Sequence, residues 1–527
     1  MSKNKVITAD EAARLIKNGD AIATSGFVGM GHPREIDVAI EKRFLETGEP
    51  KNLTLVMGAS QAHPGANTGL NRLVKEGLLA RVIAGHLNLQ KDMANLINEN
   101  KVEAWNLPQG VIMHLLRAIG GNKPGVITQV GLGTFVDPRD LGGKLNSRTT
   151  EDRVEVVTLG GEEYLWYKPL KINVGVIRGT YADQKGNLSW EHEAIKLEQL
   201  AVALAAKASG GIVIAQVEKV AENRSFHPKD IFVPGVLVDY VVPVTEARHN
   251  AQSYAAQYEP WLTGDMRLPM EQVPPLKLSE RKVICRRAGM ELVPDAVINL
   301  GIGMPEEVAS IFAEEGLVDE ATSTVEPGPI GGMPQSGLRF GTTINPEAFL
   351  EHPSMFDFYD GGGLDLAVLG MAELDASGNV NVSKFGPRIA GAGGFINITQ
   401  SSKNVVFIGT FTASGLECKV GDGKLQIVKE GKVRKMIEKV EHVTFSGEFA
   451  RKRGMRVLYV TERAVFTMGE KGLTLIEIAP GIDLEKDVLA QMSFKPNIAP
   501  NLKTMDARLF RVEPMNIRPE ILAKAKA

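Results

Sequence analysis

The chain has 527 residues, 60 basic and 63 acidic side chains, a formal net charge of −3 and 43% hydrophobic content. The length exceeds what a single hydrophobic core spans, so two or three domains are expected, and the near-balanced charge gives no general electrostatic drive toward nucleic acid or an anionic membrane. Only two cysteines occur, Cys285 and Cys418, too few and too far apart for a disulfide framework.

The first elements lie in ITADEAARLIKNGDAIATSGFVGMGHPREI (7–36), where a helical apolar pattern meets Gly-Asp, a short apolar strand, a glycine-rich turn and a proline. The N-terminal stretch before it carries no apolar leader, and no apolar run approaches the ~18 residues of a membrane span, so a cytoplasmic protein without membrane contact is expected. LTLVM (53–57) reads as a buried strand, and the GASQA that follows nearly matches a nucleophile elbow. Its last position is alanine and no partner histidine and acid are evident, so Ser60 is read as a turn residue. INVGVIRGTYADQKGNLSW (172–190) gives a strand followed by Asp183-x-x-Gly-Asn, and GIVIAQV (211–217) another strand. His192, in EHE, reads as a surface group. Prolines and scattered polar residues then break both periodicities, and a linker is expected at 261–276.

The second part repeats the first. In LSERKVICRRAGMELVPDAVINLGIGMPEEVA (278–309), Asp295 aligns with Asp20 and Gly301 with Gly26, and after a short gap Pro305 aligns with Pro33. LDLAVLGMAELDASGNVNV (364–382) repeats the later strand with Asp375-x-x-Gly-Asn. Two homologous three-layer α/β/α domains with mainly parallel sheets are therefore expected, at 1–260 and 277–527. Ligands of such sheets sit beyond the strand carboxyl ends, and the cleft between the halves is the natural place.

Several chemistries are disfavoured. No GxxxxGK[ST] phosphate loop occurs, and the GxG units at Gly29–Gly31, Gly131–Gly133, Gly301–Gly303 and Gly391–Gly393 lack the last glycine of a dinucleotide fingerprint. The nine histidines show no metal-ligand spacing, so no metal is expected. What is left is a carboxylate. In TSTVEPGPIGGMP (322–334), Glu326 is the only charge between Glu320 and Arg339 and follows a β-branched run at a strand end. A carboxylate in a water-poor cleft, left partly unsatisfied, is a competent nucleophile toward an activated acyl group. GPRIAGAGGF (386–395) offers a backbone that can approach closely and direct N–H groups at a developing oxyanion.

SxxVEPGPIGG, FDFYDGGGLDLAVLG, GNVNVSKFGPRIAGAGGFINI and NLGIGMP together resemble the class I coenzyme A transferases, most closely the single-chain acetate/acetoacetate/propionate group of the NagB/RpiA/CoA-transferase-like fold. The resemblance spans essentially the whole chain. It implies that each half corresponds to one subunit of the two-subunit transferases, that Glu326 is the nucleophile, and that acyl-CoA and short-chain carboxylic acids are the substrates of a ping-pong reaction through a glutamyl-CoA thioester. No bound cofactor is required. Gly301 and Gly303 resemble the CoA-contacting loop, Gly391, Gly393 and Gly394 the oxyanion and CoA-holding loop, and Gln109 a glutamine facing the acyl group. Gly29 and Gly31, in the repeat partner of NLGIGMP, would shape the acyl pocket. The resemblance also implies a homo-oligomer, dimer or tetramer. An acyl-CoA hydrolase using the same glutamate and a catalytically silent metabolite-binding protein are the alternative readings.

Overall fold

The computed structural model describes residues 5–269, 275–469 and 472–524. Residues 270–274 of the expected linker lie outside them. The first half is built on a seven-stranded parallel sheet: β1 (Ala21–Thr24), β2 (Leu53–Met57), β3 (Leu79–Ala84), β4 (Glu103–Asn106), β5 (Val174–Arg178), β6 (Ile212–Val217) and β7 (Tyr240–Pro243), in the order β7-β6-β5-β1-β2-β3-β4. Alternate residues of these strands enter two different hydrophobic clusters. Ala23, Val56, Ile83 and Trp105 join one, and Ile22, Leu55, Val82 and Ala104 the other. Since side chains alternate across a strand, both faces are covered, which is why the strands read as unbroken apolar runs. Helix α1 (Arg34–Thr47) lies on one face; α2 (Gln109–Gly120) and α3 (Gln199–Ala208) lie on the other.

The second half repeats the plan. Helix α4 (Glu280–Gly289) leads into a ten-stranded sheet whose middle is β8 (Ala296–Leu300), β9 (Ala321–Thr324), β12 (Leu366–Gly370), β13 (Asn404–Ile408) and β14 (Arg456–Val460). The short β10 (Pro329–Ile330) and β11 (Ala348–Phe349) extend one edge, and β15 (Ala464–Gly469), β16 (Gly472–Ile478) and β17 (Asn497–Thr504) the other, giving the order β11-β10-β9-β8-β12-β13-β14-β15-β16-β17. The middle strands are parallel, and antiparallel pairs appear only toward the edges among the described residues. In each half the strand order reverses beside the first strand, between β1 and β5 and between β8 and β12. Loops diverge at such a point and leave a crevice.

The duplication extends to hydrogen bonds. Asp183 Oδ1 accepts from the amides of Lys185 and Asn187, and Asp375 Oδ1 from those of Ser377 and Asn379. In both turns the asparagine side chain donates to the second carboxylate oxygen, at 2.8 and 3.1 Å.

The halves meet along α2, which packs against α5 (His352–Asp360) and α6 (Phe395–Ser401). The Gly110 amide donates to Asn397 Oδ1 at 3.1 Å, and Asn397 Nδ2 donates to Asp360 at 3.0 Å. Residues 259–268 are strapped onto the second half by the Glu259–Arg339 ion pair at 2.6 Å and by paired bonds between Leu268 and Asn345. A Cβ on Gly110 would fall 2.5 Å from both Asn397 Nδ2 and Phe356 Cδ1, so only glycine lets the helices approach this closely. Gly110→Ala is expected to lower stability by about 1–3 kcal/mol, as overpacking does, and to reduce turnover as well; a denaturant titration paired with an activity assay checks both.

Candidate active site

Glu326 occupies a corner built by its neighbours. Thr324, at the end of β9, donates from Oγ1 to Ile298 O and receives the Tyr359 hydroxyl at 3.0 Å, while Asn299 Nδ2 donates to Thr324 O. The chain then turns back at once, Gly328 N–H donating to Val325 O at 3.0 Å and Val325 N–H to Pro329 O at 3.1 Å. Gly328 has φ +132°, and a Cβ there would lie 2.1 Å from Leu350 O. The turn therefore needs glycine, and it points Glu326 away from the sheet at the strand end.

The side chain is buried, with 9% of its surface exposed, and has no ion-pair partner among the described residues. Burial raises its carboxyl above the ordinary range; its own amide and His352 oppose that rise. The charge in turn raises the neighbouring Tyr359 phenol, for which burial is the larger cause.

The glycine loop lies directly on this carboxylate. A Cβ built on Gly394 would come 3.1 Å from Glu326 Cγ and 3.2 Å from Phe356 Cζ. The loop is gripped by the first half: Gly393 N–H donates to Gly85 O at 2.7 Å, Gln109 N–H to Gly393 O at 2.9 Å, and Ala392 N–H to Asn106 Oδ1 at 2.9 Å. The three glycines of the expected oxyanion and CoA-holding loop differ in what their amides do. The amide of Gly391 is committed to Ser383 O at 3.0 Å and that of Gly393 to Gly85 O, so both hold the loop in place. The Gly394 amide, at the start of α6, has no backbone partner among the described residues.

Gly301 and Gly303 follow β8, on the loop next to Glu326. Gly301 N–H donates to Val368 O, and a Cβ would strike Leu369 Cδ2 at 2.7 Å; Gly303, at φ +86°, faces open space. On the same loop Glu306 has a buried oxygen without a hydrogen-bond partner. Burial pushes its carboxyl up to about 6, helped by the charges of Glu307 and Glu326 and opposed by the Gly303 amide.

Gln109 stands in the seam as the first residue of α2. Its Nε2 lies 2.9 Å from His352 Nε2, and His352 Nδ1 lies 2.7 Å from Glu198 Oε2. A carboxylate only accepts and an amide nitrogen only donates, so the imidazole in this arrangement donates from Nδ1 to Glu198 and accepts at Nε2 from Gln109. Glu198 is fully buried, and its other oxygen accepts the Gly26 amide at 3.0 Å. One polar chain thus runs from the loop after β1, across the seam, to the side of Glu326. Gly29 and Gly31 of that loop turn toward Tyr254 and Leu197, where a Cβ would fall 2.5 and 2.2 Å from ring and methyl carbons. The group that the loop presents to the site is Phe27, 6.1 Å from His352 and 5.5 Å from Phe340 between ring centres. Val28 is held at φ +55°, a strained setting for a β-branched residue. Ser60 Oγ lies within hydrogen-bond distance of His86 O and Gln90 Oε1, and His192 is half-exposed beside Glu218.

The coenzyme A transferase family pattern matches residues 6–243. The chain is 50% identical to the caffeate CoA-transferase of Acetobacterium woodii, over 96% of this chain and 97% of that one. It is 42% identical to the acetate CoA-transferase YdiF of Escherichia coli K12, over 96% and 95%. A crystal structure of the acyl-CoA transferase YdiF from E. coli O157:H7, as a thioester complex with CoA, superposes with a TM-score of 0.92 at 40% identity, covering 99% of this chain and 98% of that one. The fold and the seam define a CoA-transferase-like α/β protein. The chain belongs to the coenzyme A transferase family.

The raised carboxyl of Glu326 has a stability consequence. An acid whose folded-state pKa is raised weakens folding once it ionises, so that cost develops as pH climbs through the ordinary carboxylate range and persists above the raised value. Glu326→Gln is therefore expected to melt at higher temperature than the wild type at pH 7–8, with the gain vanishing as pH falls toward ~4. Calorimetric melting across pH 4–8 checks it; equal melting temperatures at pH 8 would contradict the burial argument.

Proposed function

We propose that the protein transfers coenzyme A between a short-chain acyl-CoA and a free carboxylate through a covalent intermediate on Glu326. The observation that carries this reading is a buried carboxylate without an ion-pair partner among the described residues, capped by Gly394. A Glu326 oxygen attacks the thioester carbonyl, the C–S bond breaks, and CoA leaves as its thiolate, giving an acyl-glutamyl anhydride. The thiolate then attacks the glutamyl carbonyl. The anhydride C–O bond breaks, the first acid departs as its carboxylate, and a glutamyl-CoA thioester is left. A second carboxylate runs the steps in reverse. No net proton moves, and one thioester replaces another, so the balance requires neither nucleotide hydrolysis nor a resident cofactor.

In this reading the Gly394 amide is the donor available to the oxyanion formed at each tetrahedral stage, and one well-aimed donor is worth about 3–4 kcal/mol. Gln109 faces the acyl group, its amide orientation set by His352 and Glu198. Gly301 and Gly303 border the path of CoA. Gly391 and Gly393 act by holding the loop. The division into 1–260, linker 261–276 and 277–527 is proposed with it, the first part covering the acid carried by the second.

The rings of Phe27 and Phe356 beside His352, with Phe340 against Phe27, favour a second acceptor class, planar unsaturated acids. The identity to a caffeate CoA-transferase supports the same extension. Initial rates with acetyl-CoA separate these readings. Acetate is expected to appear continuously only with an acceptor acid, and the ratio of kcat/KM for butyrate and caffeate decides which class is preferred. Glu326→Ala should abolish transfer, and Glu326→Asp, which withdraws the carboxylate by about 1 Å, should lose about 100-fold. Steady acetate release without acceptor would identify a hydrolase, and transfer persisting in Glu326→Ala would remove Glu326 from the mechanism.

A further inference from the structure

A cavity of about 410 Å³ opens on the first half, away from Glu326 and the glycine loop. It lies at the carboxyl end of the seven-stranded sheet, among residues that follow β1, β2 and β7, and its walls include Arg34, Arg72, Arg248, Tyr254, Ala251 and Ala255. Its volume falls in the range of roughly 300–1,000 Å³ typical of small-molecule sites.

Arg34 is the unusual member. It is 7% exposed, yet no carboxylate lies within ion-pair distance of it among the described residues. Its guanidinium is held by three carbonyls, Arg248 O at 2.9 Å, Gly29 O at 2.5 Å and Ala251 O at 3.1 Å, and lies over the Tyr254 ring at 4.2 Å. Its Nε is buried without a hydrogen-bond partner among the described residues. Burial, with Arg178 adding repulsion, lowers Arg34 to about 10. Asp37 and Glu193 act on it only at longer range, and a buried cation with no carboxylate in contact among the described residues favours an anion beside it.

The carboxylates around the cavity are engaged by other groups. Glu41 pairs with both Arg72 at 2.5 Å and Lys75 at 2.9 Å, Glu246 with Arg248 at 2.6 Å, and Glu35 with His249 at 3.1 Å. Asp37 is engaged by His32, and Glu193 by Arg178 at 2.6 Å. Arg34 is thus the cation of the chamber without a contacting carboxylate among the described residues, and the remaining walls are the Tyr254 ring, Val38, Gly69 and three alanines, with the polar Thr68, Ser253 and Gln257. The internal repeat points to the same place. Arg34 follows Pro33 as Glu306 follows Pro305 on the loop beside Glu326, so the cavity opens next to the first-half counterpart of an active-site loop.

We propose that this cavity is a second ligand site, separate from Glu326, that binds a singly charged organic carboxylate with its charge toward Arg34 and its apolar body against Tyr254 and the alanine wall. One loop separates it from the active site: Gly29, packed on Tyr254, is two residues from Phe27.

The test is binding by the full chain without acyl-CoA, so that its failure leaves the role of Glu326 untouched. The probe is 4-fluorobenzoate, followed by ¹⁹F NMR, with 4-fluorobenzyl alcohol as its uncharged counterpart. Wild-type protein is expected to bind the acid at least tenfold more tightly than the alcohol. Ala255→Trp, at an exposed position on the cavity wall, is expected to lose one binding site per chain, and Arg34→Gln to lose tenfold or more in affinity. If Arg34→Gln does not fold, Ala255→Trp decides. Unchanged stoichiometry in Ala255→Trp, equal binding of acid and alcohol, or a site that takes inorganic phosphate and refuses the acid would each overturn the proposal.

Discussion

A carboxylate held in the seam of a duplicated fold, without an ion-pair partner among the described residues, is the constraint around which the rest is arranged. An ionised group there costs stability unless it is paired, and pairing would quench it as a nucleophile. The fold meets this by enforcement. Gly328 and its neighbours fix the corner, Thr324 and Tyr359 tie the strand end below it, and the glycine loop covers it from above. The loop is clamped mostly from the other half, through Gly85, Asn106 and Gln109, so the site is complete only when the halves are docked.

Duplication explains both the resemblance and the asymmetry of the halves. Each provides a crevice at the reversal of its strand order. Two residues beyond its second strand the second half has Glu326, while the first half has Ala59. The first half contributes instead Phe27, Glu198 and Gln109, which reach across the seam to His352. The two halves thus bring different groups to the seam, an acid from the second and supporting side chains from the first.

Much of this was legible in the sequence because it is local or repeated. The paired Asp-x-x-Gly-Asn turns, the apolar runs of doubly covered strands and the charge-free stretch around Glu326 are patterns within a few residues of one another. That the glycine loop lies on Glu326 was open in the sequence, and Gly394 settles that geometry. The relay through Glu198 and His352 joins residues 154 apart, and neither carries a local signal, since His352 reads as an ordinary helix-start residue. The commitment of the Gly391 and Gly393 amides was equally hidden, because their partners come from strand ends elsewhere in the chain. Arg34 gave no signal either: an arginine after Pro33 reads as a helix start, and that no carboxylate touches it among the described residues depends on how the fold turns Asp37 to His32 and Glu193 to Arg178.

The central claim is that the isolated carboxylate becomes covalently attached to CoA. Incubating the protein with acetyl-CoA in the absence of acceptor, digesting it and mapping the peptides by mass spectrometry tests that directly. A CoA adduct on the peptide containing Glu326, absent when Glu326 is replaced by alanine, is the predicted result. An adduct on another residue, or none under conditions where transfer proceeds, would contradict the account.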